Sequence, residues 1–160
     1  MAKISDLKLR YRIFMKTYRY RSYSWGSGSQ LSKPLSHCKI AVITTAGFYL
    51  PDQEPFDEEY KGGDPSYREI PQDCDLPSLK IGHRSEAFDH TGIEKDKNLA
   101  LPFDRLRELV QEGFIGSINQ TNFSFMGSIT APARLLKNTA PEVLEKIRND
   151  EVDAVLLTPV

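Results

Sequence analysis

Two thiols, three histidines and a few small-residue turns are where this sequence could do chemistry. A thiol attacks or binds metal as its anion, and Cys74 stands between Asp73 and Asp75, two carboxylates that disfavour that anion. Cys38 precedes an apolar run, away from any turn that would present it. His83 has an ordinary pKa near 6.5 and is a candidate acid or base, although a lone histidine beside a strand is more often a packing residue. Arg68 and Glu69 suit a substrate carboxylate and amine, or equally a surface ion pair. Asp89 and His90 make an orienting dyad only if the backbone turns between them, because strand neighbours face opposite ways. The remaining candidates offer backbone N–H groups and hydroxyls: Thr44, Thr45 and Gly47 in one turn, Gly127 and Ser128 in another, and Thr158 near a third.

Those turns follow runs that read as strands. Lys39 to Gly47 is short, apolar and β-branched before it meets small residues, as in a buried parallel strand entering a tight turn. Ile115 to Met126 is weakly strand-like and ends at Gly127-Ser128. Val152 to Val160 has a continuous apolar centre, Ala154-Val-Leu-Leu157. Helices separate them. Pro102 opens one in which Phe103, Leu106, Leu109 and Val110 share a face and Gly113 is the stop. Thr139 and Glu142 have the spacing of a capping box, with Pro141 in the first turn and Val143, Leu144 and Ile147 on the apolar face. Residues 51–66, rich in proline and acid, read as a long surface loop; Tyr67–Pro71 and Leu79–His83 are short strand candidates. The order predicts a Rossmann- or flavodoxin-like α/β fold, a parallel sheet with flanking helices, incomplete at its carboxyl end. Such sheets bind ligands beyond the carboxyl ends of their strands, which is where Thr44, Thr45, Gly47, Gly127, Ser128 and Thr158 fall.

Upstream, residues 1–23 carry seven cations against Asp6, and Ile4, Leu7, Tyr11, Phe14, Met15 and Tyr18 fall at helical spacings, predicting an amphipathic helix with a cationic face. Residues 24–37, rich in serine and glycine, read as a linker to an α/β domain over 38–160. The helix suits an anionic membrane, nucleic acid, or its own domain or subunit partner. The formal net charge of −1 provides no general field for nucleic acid, and none is expected as a partner. There is no apolar run of membrane-spanning length and no signal peptide, and two cysteines without metal-ligand spacing form no disulfide framework or metal site, so a reducing, cytoplasmic setting is expected.

Five segments in order, VITTAGFYLPDQEPFD, GGDPSYREIP, FDHTGIEKDKNLALPFDRLRELVQEG, SFMGSIT and DAVLLTPV, resemble the selenoprotein B subunits of glycine, betaine, sarcosine and D-proline reductases, from about Cys38 to Val160. The resemblance implies reductive cleavage of a substrate carbon–nitrogen bond. In that family the strand matching Asp153–Val160 leads into a selenocysteine or cysteine, so the nucleophile is expected just after Val160, as from an unread selenocysteine codon, and the chain alone is expected to be inactive. The resemblance further implies a pyruvoyl group on a partner subunit, a dithiol or thioredoxin-type reductant, and possible homo-oligomers. Against this stand a non-catalytic ligand-binding α/β protein and a membrane- or nucleic-acid-associated module built on the basic helix.

Overall fold

The computed structural model describes residues 8–17, 29–85 and 89–160. The chain divides into two units, Met1–Gln30 and Leu31–Val160. In the first, Leu9–Thr17 form helix α1. At 100° per residue Leu9 and Ile13 project well away from Tyr11 and Phe14, and all four are exposed, so α1 does not divide into one apolar and one cationic face. Ile4, Leu7, Tyr18 and linker residues 24–28 lie outside the described residues.

The second unit is built on β1 (Lys39–Thr44). Its residues are buried on both faces, so its backbone N–H and C=O groups have to be met by a strand on each edge. On one edge β7 (Ala154–Thr158) runs parallel in unbroken register, from Ile40↔Ala154 to Thr44↔Thr158. On the other edge lie two parallel pieces, β5 (Ser117–Ile118) and β6 (Thr121–Phe125), and β3 (Tyr67–Pro71) closes that side antiparallel to β6. A separate antiparallel pair, β2 (Phe48–Tyr49) and β4 (Lys80–Ile81), sits off the sheet. The expected α/β class with a mostly parallel sheet is found; Ile115–Met126, read as one strand, is two.

The break between β5 and β6 leaves the Val42 N–H without a backbone acceptor in the middle of a dry sheet. Asn122, fully buried, fills the gap: its Oδ1 accepts from Val42 N at 2.8 Å and its Nδ2 donates to Asn119 O at 2.9 Å. Asn119 in turn donates its backbone N–H to Ile40 O at 2.7 Å and its side-chain amide to Asp150 at 2.8 Å. The amino ends are clasped as well. Asp153 accepts from the Lys39 backbone N–H at 2.7 Å and from the Lys33 ammonium at 2.8 Å; the Lys33 contact, then the Lys39 N–H, holds its carboxyl below the ordinary range.

Helices cover the two faces. On the face of Ile40, Val42 and Ile70 lies α3 (Phe103–Gln111), docked through Phe103 and Leu106, with α2 (Thr91–Lys95) contributing Ile93. Gly113 ends α3 with φ of 74°, the left-handed turn that glycine tolerates. On the other face α4 (Ala140–Asn149) packs Val143 and Ile147 on Ile43, Phe123 and Phe125. The capping-box expectation fails here. Thr139 is helical, its hydroxyl donates back to Leu135 O, and the helix already runs through a π turn at Leu135–Thr139. Pro141 has no N–H to donate and its ring crowds the preceding turn, so the wide turn falls just before it.

Residues 51–66 are also more tightly held than a surface loop. Phe56 and Asp64 are buried, and Asp64 accepts from Asp57 N and Ser66 N, both at 2.9 Å. Burial opposes its charge, yet these bonds and nearby Arg68 hold its pKa below the ordinary value.

Replacing Asn122 with alanine strands the Val42 N–H. We expect a loss of about 1–3 kcal/mol, the desolvation cost of one buried donor, read as a lower urea midpoint with unchanged slope; an unshifted midpoint contradicts this role.

Candidate functional site

The carboxyl ends of β1, β6 and β7 meet, and hydroxyls lace them together. Thr44 is wholly buried; its Oγ1 donates to Thr158 O at 3.3 Å and accepts from Ala46 N at 3.2 Å. The Thr45 hydroxyl joins Val160, accepting from its N–H at 3.0 Å and donating to its carbonyl at 3.3 Å. Thr158 Oγ1 donates to Ala100 O at 2.7 Å, tying β7 to the segment before α3. Gly47, with φ of 69°, donates to Phe125 O at 2.9 Å, and a β-carbon there would collide with Gly82 O. Of the six strand-end residues expected to line a site, the three threonines are therefore committed to holding it together.

Gly127 and Ser128 form the mouth. A β-carbon on Gly127 would run into the His83 imidazole at Nε2 and crowd Thr45 O. Ser128 takes a left-handed backbone, φ 59°, and is exposed. Behind it the Gly62-Gly63 turn, with φ of 93° and 92°, presses on Ala131 and Ile129 and accepts Ala131 N at 3.0 Å through Gly62 O. Side chains at either glycine would push this wall inward. From Gly127 and Ser128 a groove of about 710 Å³ runs between the sheet and α4, lined almost wholly by apolar groups, among them Ile43, Ile129, Leu135, Leu144 and Leu157. Sequence reasoning missed the groove. Its signal is the apolar spacing of Ile129, Pro132 and Leu135 between β6 and α4.

His83 is buried beneath this mouth. Its Nδ1 accepts the Ser85 N–H at 3.2 Å, and its ring meets that of His90 edge-on at 5.7 Å between centroids. Burial, and then His90, pushes its pKa below the ordinary value, so it is neutral at pH 7. Asp89 lies just before α2 and accepts from Thr91 N at 3.0 Å and Thr91 Oγ1 at 2.7 Å; these bonds, and then neighbouring His90, hold its carboxyl below the ordinary range.

Arg68 and Glu69 lie level with Ser124 and Phe123 near the carboxyl end of β6, but their side chains are engaged elsewhere. Arg68 lies over the Phe56 ring and donates to Glu54 O at 2.7 Å and Pro55 O at 3.0 Å, pinning the 51–66 loop. Glu69 faces α4 and pairs with Lys146 at 3.0 Å. Both thiols sit at the opposite end of the sheet. Cys38 is buried before β1 with its Sγ toward Pro34 O, and Cys74 lies past the end of β3, where burial first, and then Asp73 and Asp75, push its pKa up against the opposing Arg107. Among the described residues no group of three histidines, cysteines or acids is placed to hold a metal, and no helix is long and apolar enough to cross a membrane.

Two outcomes follow from the packing of His83 on Gly127. Gly127→Ala should destabilise the chain, and His83→Ala should relieve part of that cost, a coupling of roughly 0.5–3 kcal/mol in a double-mutant cycle; strict additivity would refute the contact. The unfolded imidazole takes up a proton near pH 6.5 while the folded one resists, so stability should fall as pH drops below about 6.5. The depressed carboxylates of Asp64, Asp89 and Asp153 lose their contribution only at lower pH, below about 4. Melting temperatures at pH 7.5 and 5.5 check this; His83→Asn should flatten the difference.

Comparison with known proteins places the chain in a family. The model of glycine/sarcosine/betaine reductase selenoprotein B matches residues 8–160. The chain is 32% identical over 128 residues to the D-proline reductase subunit gamma of Acetoanaerobium sticklandii, a match covering 80% of this chain and 51% of that protein. It is 31% identical over 127 residues to the glycine reductase complex component B subunit gamma of Symbiobacterium thermophilum, covering 79% of this chain and 29% of the relative. The component of the same name from Peptoclostridium acidaminophilum is 29% identical over 154 residues, 94% of this chain and 34% of the relative. The chain thus spans about half the length of the first of these relatives and about a third of the others. No solved structure matches it significantly. With 153 of its 160 residues inside the family model, the chain belongs to the glycine/sarcosine/betaine reductase selenoprotein B family.

Proposed function

We propose that this chain forms the substrate-binding α/β part of a reductase component that cleaves a carbon–nitrogen bond of an amino acid or amine, with its site at the joined ends of β1, β6 and β7. The observation that carries this reading is the convergence of those ends on Gly127 and Ser128, the position at which parallel sheets hold ligands. Family membership and relatives named as glycine, D-proline, betaine and sarcosine reductase components support the reaction class.

Each residue then has a task. The left-handed Ser128 presents its hydroxyl and backbone at the groove mouth, where a substrate carboxylate would be met. Thr44, Thr45 and Thr158 fix the strand ends, so little reorganisation accompanies binding. His83 stays neutral and positions Gly127, and it is the nearest candidate to hold or move a proton. Neither thiol of the chain is near enough to act, which fits a nucleophile contributed from polypeptide beyond the described residues. In this reading that nucleophile is a selenol or thiol, ionised at neutral pH far more readily when it is a selenol, and a partner subunit's pyruvoyl group supplies activation of the substrate amine. A dithiol or thioredoxin-type protein would return the oxidised nucleophile to its reduced state. The component would work in the cytoplasm, with other subunits.

Assays with a dithiol and glycine, sarcosine, betaine or D-proline, in the presence of the pyruvoyl subunit, test this. The 160-residue chain should give no turnover above its Cys38→Ala/Cys74→Ala variant. The complete component should release ammonia from glycine or an amine from sarcosine or betaine, and open the ring of D-proline to a linear amino acid; Ser128→Ala should raise KM about ten-fold or more, the loss expected for one hydrogen bond to a charged group. Turnover by the isolated chain that depends on Cys38 or Cys74 would overturn the assignment.

A further inference from the structure

The path of the chain and the exposed surface point to the same face of the sheet. From β1 to β6 the connection carries α3 on the Ile40/Val42 face, and from β6 past β1 to β7 it carries α4 on the opposite face. Opposite directions of travel on opposite faces are both right-handed crossovers, the near-universal hand. α4 covers β6 and β1 but stops short of β7. On its side Val155 is 37% exposed and Leu157 65%, beside Leu144 of α4 at 46%. The outer edge of β7 pairs with no strand among the described residues. Ala154 to Thr158 contains no charge or proline to guard that edge, and parallel strands are ordinarily covered on both faces.

We propose that this face is covered by a further βα unit of the family's polypeptide: a helix laid over Val155, Leu157 and Leu144 in the groove, followed by a strand parallel to β7 at its outer edge. A strand added beyond β7, reached in the same direction as β6 to β7, must carry its helix on the α4 face to stay right-handed, and that is the more open face: Leu157 there is 65% exposed, against 37% for Leu156 on the α3 side. The spacing agrees. Packed helices lie about 10 Å apart, roughly two strand spacings of about 4.8 Å, so a helix beside α4 lies over β7 and its edge. The Acetoanaerobium relative, of which this chain spans 51%, is long enough to contain such a unit. A second copy fits less well. Two β7 edges paired across a dyad would leave the two α4 helices about four strand spacings apart, roughly 19 Å, with the apolar floor between them still open.

Hydrogen exchange at β7 tests the proposal without any activity measurement, so its failure and that of the reductase reading are separable. The 160-residue chain is compared with the same chain extended past Val160 by the polypeptide that follows the matched region in the Acetoanaerobium relative. We expect a monomer for the former by light scattering, and at least ten-fold slower exchange in the latter at the β7 amides not bonded to β1. Leu157→Asp should lower the urea midpoint of the extended chain more than that of the short one. If the chimera does not fold, the relative itself, whole and cut after its counterpart of Val160, gives the same comparison. Equal exchange in both forms overturns the proposal, as does a short chain that already protects those amides as a dimer, which would assign the edge to a second copy.

Discussion

Every backbone donor and acceptor of β1 has to be met inside a sheet that water does not reach, and the rest of the structure follows from how this is done. Along β7 the ladder is continuous from Ile40 to Thr44. Along the other edge it is broken between β5 and β6, and a side chain, Asn122, replaces the missing backbone group. An unmet buried N–H costs on the order of 1–3 kcal/mol, so this position has little freedom to vary in chemistry. Asn119, Asp150 and Asp153 extend the same polar seam to the amino ends of β1 and β7.

With β1 held on both edges, the carboxyl ends of three parallel strands are brought to one place. The threonines there satisfy one another and the local carbonyls, which makes the floor of the site rigid but leaves few free polar side chains. The surface available to a ligand is correspondingly small: Ser128 and the backbone about Gly127 at the groove mouth. This division of labour suits a site completed by other polypeptide. The two thiols, at the far end of the sheet, are parts of the packing, and the Cys74 thiol is held protonated by burial and its acidic neighbours.

Much of this was legible in the residues. The β-branched run of β1, the apolar centre of β7 and the face of α3 are periodic signals, and the small-residue turns correctly marked the strand ends. What was not legible depends on contacts distant in sequence. Asn122 looks like a strand-breaking polar residue until it is seen opposite the Val42 N–H, eighty positions away. Arg68 carries a charge that invites a ligand, but the loop it pins, upstream in sequence, already occupies it with two carbonyls and the Ser66 hydroxyl. Thr139 has the capping spacing, yet the preceding turn was already helical, because Leu135 packs on the sheet and draws the chain into a π turn before Pro141. The Gly62-Gly63 pair gave a turn signal without revealing that it braces the groove wall at Ile129 and Ala131.

In the proposed function a small carboxylate binds at the joined ends of β1, β6 and β7. Amide and side-chain chemical shifts followed during titration of the labelled chain with glycine, betaine and D-proline test this most directly. Saturable shifts are expected at Thr45, Gly47, Gly127 and Ser128, with the side chains of Arg68 and Glu69 unmoved. Shifts centred on those two side chains, with Gly127 and Ser128 silent, would move the site elsewhere.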